Sequence, residues 1–493
     1  MPSCRGYSLS APAHPRLTSS LQVTRPFGEN TLGGAKPTQM EQHSVSLIKR
    51  IEGFFPRLLA DPERARRLYP ALLLLFTLIV WFPALFAGLD HPSQDAFYHI
   101  THAALHHTPG DITNWFVRGY WAYTHYEYRP LTRLSLLADY FIWGPRPFGF
   151  HLTNLLLHFA CAFLLGAVMV RAGSPVWAAR LAGAVGAVFP PGQMAVSWLN
   201  GRQDVLCAAL LLAGVLFFVN WLVGKSWPHL IGAAVFTLLS ALAKEPGAAA
   251  PLFMLAAAFL VPTRRRLWQR LGATALIAVL LIPYVWLRLR AWPLDQYAQQ
   301  NADQLRPLST ALRWFVSHLL APRPYELATT WRRQGLYILF SRDLLRLLIE
   351  QVAFWAALIA LLARQRRLLG LGIIWKLVFF LPVYNLYWNP AFTHYRYLPH
   401  LGTAWLVGLA AWELSRYAAA HLRRPGRALI RETFIAAALL ILIAYYVVQL
   451  PHRWPTWSVI AQGGPEPHPS FCRALEGPGV PFRFDELQQT PEP

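Results

Sequence analysis

Long apolar runs separated by short polar stretches occupy most of this chain. A bilayer core about 30 Å thick is crossed by roughly 20 apolar residues in a helix, and about eleven runs approach that length. They lie at 68–88, 151–171, 176–190, 204–223, 229–243, 247–262, 271–289, 343–363, 368–387, 396–417 and 431–450. The pattern predicts an all-α polytopic membrane protein, in which 176–190 and 229–243 are shorter than an ideal crossing.

Polar segments divide the chain further. Residues 1–66 are basic and rich in Pro, Ser and Gly, which predicts a disordered cytoplasmic segment before a transmembrane domain at 67–450. Two long loops, 89–150 and 291–342, and a short Pro-rich tail at 451–493 are predicted to lie on the opposite side of the membrane. The first loop is dense in Trp and Tyr, which is typical of amphipathic segments on a membrane surface.

Composition and charge agree with this picture. Hydrophobic residues make up 55 % and charged residues 14 % of the 493 residues, whereas soluble chains average about 25 % charged residues. The net charge of +21 is also found in nucleic-acid-binding proteins. However, Lys and Arg concentrate before the first run and in later loops such as 264–266 and 364–367, which share one predicted side. We therefore expect a cytoplasmic N-terminus and contacts with membrane lipids, and no nucleic-acid partner.

Polar side chains at the other ends of the apolar runs are the candidate functional residues. Ionisable groups at a membrane are costly, so each is a functional candidate by default. These candidates share the predicted outer side, which predicts a site on that face. They are Asp95, His99, Tyr128, Arg129, His151, Asn154, Asn200, Arg202, Asp204, Lys244, Glu245, Arg396 and Tyr397.

Two of these candidates lie in the first outer loop. Asp95 is a carboxylate beside the membrane, suited to deprotonate a hydroxyl, although for the single residue a helix N-cap or a solvated loop position is the favoured explanation. Arg129 has the planar fork that binds phosphate. The alternative for Arg129 is an interfacial side chain that extends toward the headgroups.

A polar stripe opens the run at 151–171. His151, Asn154 and His158 follow helical spacing and share one face, and the two histidines lie about 10 Å apart, too far to bind one metal ion. The stripe is expected to face the bundle interior and to hydrogen-bond neighbouring helices. His151 would still be near enough to the outer end to reach a substrate.

Further polar motifs open three later runs. Gly201 permits a tight turn, and Arg202 either pairs with Asp204 or faces an anion. Lys244 and Glu245 are adjacent, so they point in different directions and each needs another partner, such as a phosphate for Lys244. A hydrated hairpin turn is the alternative there. Arg396 is expected at the outer boundary, facing a lipid phosphate.

Five segments in order carry a family resemblance. The chain resembles the bacterial GT-C glycosyltransferases related to the TMTC O-mannosyltransferases. The resemblance implies a GT-C-type bundle of about eleven helices in a bacterial inner membrane, with its active face outside. The segments are Asp95 to His99, Tyr128 to Leu131, Phe150 to His158, Trp198 to Asp204 with Lys244-Glu245, and Arg396 to Pro399.

The resemblance also implies roles. Such enzymes move a sugar from a polyprenyl-phosphate carrier to an acceptor hydroxyl on a protein, glycan or lipid. The catalytic acid maps to Asp95, and one displacement would invert the anomeric centre. Basic residues would bind the donor phosphate: Arg129, Arg202, Lys244 and Arg396. The remaining residues would bind substrate: His99, Tyr128, His151, Asn154, Asn200, Asp204, Glu245 and Tyr397.

Two departures from the family pattern limit what the resemblance implies. Relatives often carry paired acids where this chain has Gln94-Asp95, so no obligatory metal or other cofactor is expected. The tetratricopeptide repeats that follow the membrane part of TMTC proteins are not found in 451–493, so acceptor recognition by repeats is not carried over. A polysaccharide polymerase or ligase, and a polytopic transporter, are the alternative functions.

Overall fold

The computed structural model describes residues 62–86, 99–100, 103–104, 107–117, 128–144, 146–188, 193–291, 356, 358–383 and 394–421. Within these ranges all regular structure is helical and there is no strand. The predicted all-α class is therefore confirmed. The tail at 451–493, the loop at 292–342 and nearly all of 1–66 lie outside the described ranges.

The described α-helices are numbered here in chain order. Short 3₁₀ turns adjoin several of them, including Leu199–Gly201 before α7 and Glu245–Ala249 before α9. The helices are α1 Pro62–Trp81, α2 Pro109–Val117, α3 Pro130–Trp143, α4 Pro147–Arg171, α5 Val176–Val188, α6 Gln193–Ser197, α7 Arg202–Leu222, α8 Pro228–Ala243, α9 Ala250–Leu260, α10 Leu267–Leu280, α11 Ile282–Ala291, α12 Arg366–Phe380 and α13 Tyr397–His421.

The boundary between α3 and α4 shows how the sequence sets helix ends. Gly144 follows α3 with φ 61°, a left-handed conformation that glycine adopts without a steric penalty, and its N–H bonds the Tyr140 carbonyl. Pro147 then opens α4 at a position where its missing N–H costs nothing. The chain thus reverses in a few residues and packs α3 against α4.

Four helical segments in the described part of the chain are long and apolar enough to cross a membrane. They are Arg67–Phe86, Pro147–Arg171, Leu199–Leu222 and Leu267–Ala291, and they match the runs predicted at 68–88, 151–171, 204–223 and 271–289. Exposed apolar side chains such as Leu75 and Ile79 on α1 suit contact with lipid tails. The chain is therefore a multi-pass membrane protein.

The other predicted crossings have mixed outcomes. The runs at 176–190, 229–243 and 247–262 form shorter apolar helices, Val176–Val188, Pro228–Ala243 and Glu245–Leu260. The runs at 368–387 and 396–417 correspond to α12 and α13. The run at 431–450 and most of 343–363 lie outside the described residues, so the count of about eleven stays a prediction.

The bundle is centred on α4 and α7. Helix α4 packs against α5 and α7, α7 packs against α8, and α13 packs against α5 and α12. Small residues bring these helices close, because a Cβ on Gly408 would lie 2.5 Å from the Ala178 carbonyl oxygen. The same packing buries one face of α3, which lies within the predicted first outer loop and contacts α4 and α8.

Candidate functional site

Arg202, the first residue of α7, is fully buried and joins three helices. Its Nη2 donates to the Asp139 carboxylate of α3 and to the Phe150 carbonyl of α4, at 2.9 Å for the latter. Its Nη1 donates to Ser135 Oγ at 2.8 Å, and its Nε donates to Asn154 Oδ1. The sequence-based alternatives for Arg202 were a pair with Asp204 or a free anion site, and the structure pairs it with Asp139 instead.

Further hydrogen bonds fix the side chains of Asp139 and Asn154, which pair with Arg202. The second oxygen of Asp139 accepts a hydrogen bond from Thr153 Oγ1 at 2.9 Å. Asn154 Nδ2 donates to the carbonyls of Trp198 and Leu199, each at 3.3 Å. A buried ion pair is tolerated only where such additional bonds satisfy both groups. This network fixes the starts of α4 and α7 at the same end of the bundle.

Lys244 and Asp204 form a second buried pair at that end. Lys244 Nζ donates to Asp204 Oδ1 at 2.6 Å and lies 4.6 Å from the centre of the Tyr395 ring. Both side chains are at most 7 % exposed. Within the described part of the chain, Asp204 Oδ2 is buried and has no hydrogen-bond partner.

Arg129 and Glu245 form the third pair. Arg129 Nε lies 3.1 and 3.0 Å from the two Glu245 oxygens, and its Nη2 lies 2.9 Å from Oε2. Arg129 Nη1 donates to Gln203, and Arg288 Nε is 3.8 Å from Glu245. The prediction that Lys244 and Glu245 have different partners is confirmed. They diverge because Lys244 is extended, with φ −160° and ψ 148°.

Neutral groups of the first loop lie beside these pairs. Burial, together with the charges of Arg133 and Arg129, lowers the pKa of His99 to about 3, so its ring is uncharged at neutral pH. Tyr128 is buried, donates to the Phe116 carbonyl at 2.5 Å, and has its pKa raised by burial to about 12. Both side chains therefore act as neutral hydrogen-bonding groups near the cations.

The polar stripe of α4 faces the bundle interior, as predicted. His151, Asn154 and His158 are all buried. His158 Nδ1 lies 2.8 Å from Tyr397 Oη, and His158 Nε2 lies 3.0 Å from the Ala187 carbonyl oxygen. Tyr397 thus joins the start of α13 to α4, while its neighbour Arg396 is half-buried.

Asn200 lies in the 3₁₀ turn that precedes α7 and is buried. The next residue is Gly201, for which the sequence predicts a tight turn, but the structure gives another reason for glycine. Gly201 has an ordinary φ of −60°, but a Cβ there would lie 2.4 Å from the Ala195 carbonyl oxygen. The close approach of two backbone segments, and not a left-handed conformation, excludes a side chain.

Several functional candidates were missed in the sequence. Asp139 and Gln203 are buried and take part in the charged networks, and the guanidinium of the buried Arg133 lies 4.1 Å from the centre of the Trp115 ring. Asp139 is an isolated acid between Leu136-Leu137 and Tyr140-Phe141, a signal that could have identified it. The prediction of a surface loop over 89–150 hides this signal, because an acidic residue is ordinary in a loop.

The predicted catalytic residue Asp95 lies outside the described residues, so its role stays a prediction. Among the described residues, no group of three or more His, Cys, Asp or Glu side chains could hold a metal ion. A cavity of about 310 Å³ between Ala172, Pro262 and residues 364–368 lies at the opposite end of α4 from the charged pairs.

The fold and the site together define a multi-pass helical membrane protein with buried ion pairs at one end of its bundle. The predicted resemblance to the TMTC proteins is confirmed by curated relatives. Protein O-mannosyl-transferase Tmtc1 of Drosophila melanogaster is 31 % identical over 122 residues, covering 25 % of this chain and 14 % of that protein. Drosophila Tmtc2 is 30 % identical over 192 residues, covering 36 % and 20 %. Human TMTC2 is 30 % identical over 130 residues, covering 25 % and 15 %.

The extent of these similarities is limited. The chain spans at most a fifth of the length of these relatives. No protein-family model matches the chain. The apo oligosaccharyltransferase of Archaeoglobus fulgidus superposes with a TM-score of 0.46 at 14 % identity, over 86 % of this chain and 60 % of that one. ArnT of Cupriavidus metallidurans bound to undecaprenyl phosphate gives 0.39 at 18 % identity, over 82 % and 76 %.

Proposed function

We propose that this protein is a membrane glycosyltransferase. It moves a hexose from a polyprenyl-phosphate donor to an acceptor hydroxyl on a protein, glycan or lipid outside the cytoplasm. The observation that carries the proposal is the 30–31 % identity to proteins named as protein O-mannosyl-transferases, over 122 to 192 residues. We place the enzyme in a bacterial inner membrane, with its N-terminus in the cytoplasm and its active face in the periplasm.

The charged end of the bundle supports this proposal. Charged side chains inside a membrane protein are costly and mark functional sites. Lys244 and Arg129 are buried cations from different helix ends, and each is paired with a carboxylate. Preorganised cations of this kind stabilise the charge that develops on a leaving phosphate.

The proposed reaction is a single displacement. Asp95 takes the proton from the acceptor hydroxyl, whose oxygen attacks the anomeric carbon of the donor sugar. The bond from that carbon to the phosphate oxygen breaks, and the lipid phosphate leaves with the electron pair. Attack from the opposite face inverts the anomeric centre. Lys244, Arg129 and Arg396 are the residues proposed to stabilise the leaving group.

Arg202 has a different proposed role. It was a phosphate-binding candidate in the sequence, but its guanidinium donates to Ser135, Asp139, Phe150 and Asn154. Arg202 and its partner Asp139 are 0 % and 6 % exposed, whereas Glu245, the partner of Arg129, is 29 % exposed, so Arg202 is committed to the protein interior. We therefore assign Arg202 to positioning the start of α7, which carries Asp204, and the preceding turn, which carries Asn200.

The test is sugar transfer from radiolabelled polyprenyl-phosphate hexoses in membranes that contain the wild type or Asp95→Asn. We expect transfer to be lost in the variant at an unchanged protein level. Asp111→Asn is a matched control, because Asp111 lies in the same loop and accepts hydrogen bonds from Thr108 at the start of α2. Equal transfer by wild type and Asp95→Asn would remove Asp95 from the mechanism, and absence of transfer from every donor would contradict the proposed function.

A further inference from the structure

Three buried polar atoms at the start of α7 lack hydrogen-bond partners among the described residues. They are Trp198 Nε1, Asn200 Oδ1 and Asp204 Oδ2. These three residues are 7 %, 2 % and 6 % exposed. Buried polar atoms are nearly always paired in folded proteins, and an unpaired one costs free energy. Three of them within seven residues point to a bound group that supplies the missing partners.

A continuous series of contacts joins Trp198 to Asp204. The Trp198 ring centre lies 5.1 Å from that of His394, which lies 4.2 Å from that of Tyr395. The Tyr395 ring centre lies 4.6 Å from Lys244 Nζ, which donates to Asp204 Oδ1 at 2.6 Å. Trp198 and Asp204 therefore flank a region rich in aromatic rings, and Asn200 lies in the turn between them in the sequence.

The chemistry of these atoms selects the ligand. Asp204 Oδ2 and Asn200 Oδ1 are acceptors and Trp198 Nε1 is a donor, so the missing group must both donate and accept hydrogen bonds. A phosphate only accepts, and its charge is repelled by a carboxylate. A metal ion would satisfy both oxygens but not the indole N–H. Water and sugar hydroxyl groups do both, and only a sugar ring also has apolar faces suited to the aromatic rings of Trp198, His394 and Tyr395.

We propose that Trp198, Asn200 and Asp204 form a subsite that binds the hydroxyl groups of a hexose ring. The name hexose subsite is used below for these three residues. The inference deepens the proposed function and rests on it, because it assigns the sugar and the phosphate of one donor to adjacent regions. Lys244 lies between them, in contact with Asp204 of the subsite and available to the phosphate.

The test measures binding rather than transfer. The purified full chain in lipid nanodiscs is titrated with polyprenyl phosphate, with polyprenyl-phosphate mannose or glucose, and with the free methyl hexosides. We expect the wild type to bind one lipid-linked hexose about tenfold more tightly than the bare lipid phosphate, as two or more hydroxyl bonds would give. Equal affinity for the bare and every sugar-linked lipid would overturn the subsite.

Two variants remove the unpaired atoms with little other change. Asn200→Ala and Trp198→Phe should each weaken binding of the lipid-linked hexose about fivefold. Each should leave the affinity for bare polyprenyl phosphate within about twofold, since one hydroxyl bond is lost and no phosphate contact changes. Asp204→Asn is less suitable because it weakens the pair with Lys244.

Matched controls come from elsewhere in the bundle. Trp405→Phe and Thr237→Val also remove buried polar atoms without hydrogen-bond partners among the described residues, from α13 and α8. They should not change the preference for the sugar. Thermal unfolding provides a second readout. Trp198→Phe and Trp405→Phe remove the same buried ring volume, so the two should lower the melting temperature by similar amounts. A larger fall for Trp198→Phe than for Trp405→Phe would indicate a structural role and overturn the proposal.

The remaining outcomes distinguish a donor sugar from an acceptor sugar, and a sugar from a bare lipid phosphate or a metal ion. A loss confined to the lipid-linked hexose supports a subsite for the donor sugar, whereas a loss confined to a methyl hexoside overturns the assignment of the subsite to the donor. Equal weakening of bare and sugar-linked lipid, or loss of Mg²⁺ or Mn²⁺ binding in place of sugar binding, overturns the proposal. A sugar preference without any transfer would contradict the proposed function and leave the subsite standing.

Discussion

Arg202 of α7 and Asp139 of α3 form an ion pair inside the helix bundle, with side chains that are 0 % and 6 % exposed. They are 63 positions apart in the sequence. Asn154, Ser135 and Thr153 complete the hydrogen bonding of the pair. Because Arg202 joins the start of α7, next to the hexose subsite, to α3 through Asp139 and to α4 through Asn154 and Phe150, it is expected to govern both stability and the shape of the site.

Removing one member of this pair should be strongly destabilising. Asp139→Leu leaves the Arg202 charge buried without its counter-charge, which should lower the free energy of unfolding by about 3–5 kcal/mol. Unfolding of the purified protein in detergent, followed by denaturant or heat, measures the change. The double variant Asp139→Leu with Arg202→Met should recover part of the loss because no charge stays buried.

Arg416→Gln is the control for this prediction. Arg416 pairs with Glu413 at 3.2 Å, but its side chain is 47 % exposed. A solvent-screened pair contributes about 0–1 kcal/mol. A loss of stability for Asp139→Leu no larger than for Arg416→Gln would contradict the role assigned to the buried pair.

Arg129 should not be replaceable by lysine. Its Nε and Nη2 bind Glu245 as a fork while its Nη1 reaches Gln203, and one ammonium group cannot reproduce that geometry. We expect Arg129→Lys to lower transfer at least tenfold, because a loss of about 1.4 kcal/mol of this bonding is a factor of ten. The conservative change Arg288→Lys is the comparison, since Arg288 lies 3.8 Å from Glu245. Similar rates for the two variants would refute a special role for the fork.

Gly201→Ala should disturb the turn that presents Asn200. The new Cβ would lie 2.4 Å from the Ala195 carbonyl oxygen, closer than any real contact, so the backbone must move. We expect a destabilisation of about 1–3 kcal/mol from this overpacking and a loss of sugar-dependent binding. Gly272→Ala on α10 has no atom within 4 Å of the new Cβ. It should stabilise the protein by about 0.5–1 kcal/mol, as in any helix interior.

His99 should make stability depend on pH below neutrality. Its folded-state pKa of about 3 lies below the ordinary value of 6.5. Between these values the unfolded chain binds a proton that the folded chain does not, so stability falls as pH falls from 6.5 toward 3. Above pH 6.5 the residue contributes no pH dependence.

His99→Gln tests this linkage. The variant should flatten the decline by up to about 1.4 kcal/mol per pH unit, measured as the unfolding free energy at pH 7, 6 and 5. His107→Gln, on another histidine of the same loop, serves as the control. An identical pH profile for wild type and His99→Gln would show that another group governs the acid sensitivity.

The length and spacing of the apolar runs alone determined the helical class and the position of most helices. The long runs at 151–171 and 204–223 form helices because a continuous apolar segment in a membrane can satisfy all its backbone hydrogen bonds internally in that structure. The shared helix face of His151, Asn154 and His158 could also be predicted, since helical spacing puts these residues on one side. The five ordered segments were enough to identify the TMTC resemblance.

Only the tertiary structure decided which charges pair. Arg129 and Glu245 are 116 positions apart, Arg202 and Asp139 are 63 apart, and Lys244 and Asp204 are 40 apart. From the sequence, Asp204 is the expected ion-pair partner of Arg202 because the two residues are close in the chain. In the folded bundle the partner is Asp139, since a buried charge must pair with an opposite charge that helix packing brings within hydrogen-bond distance.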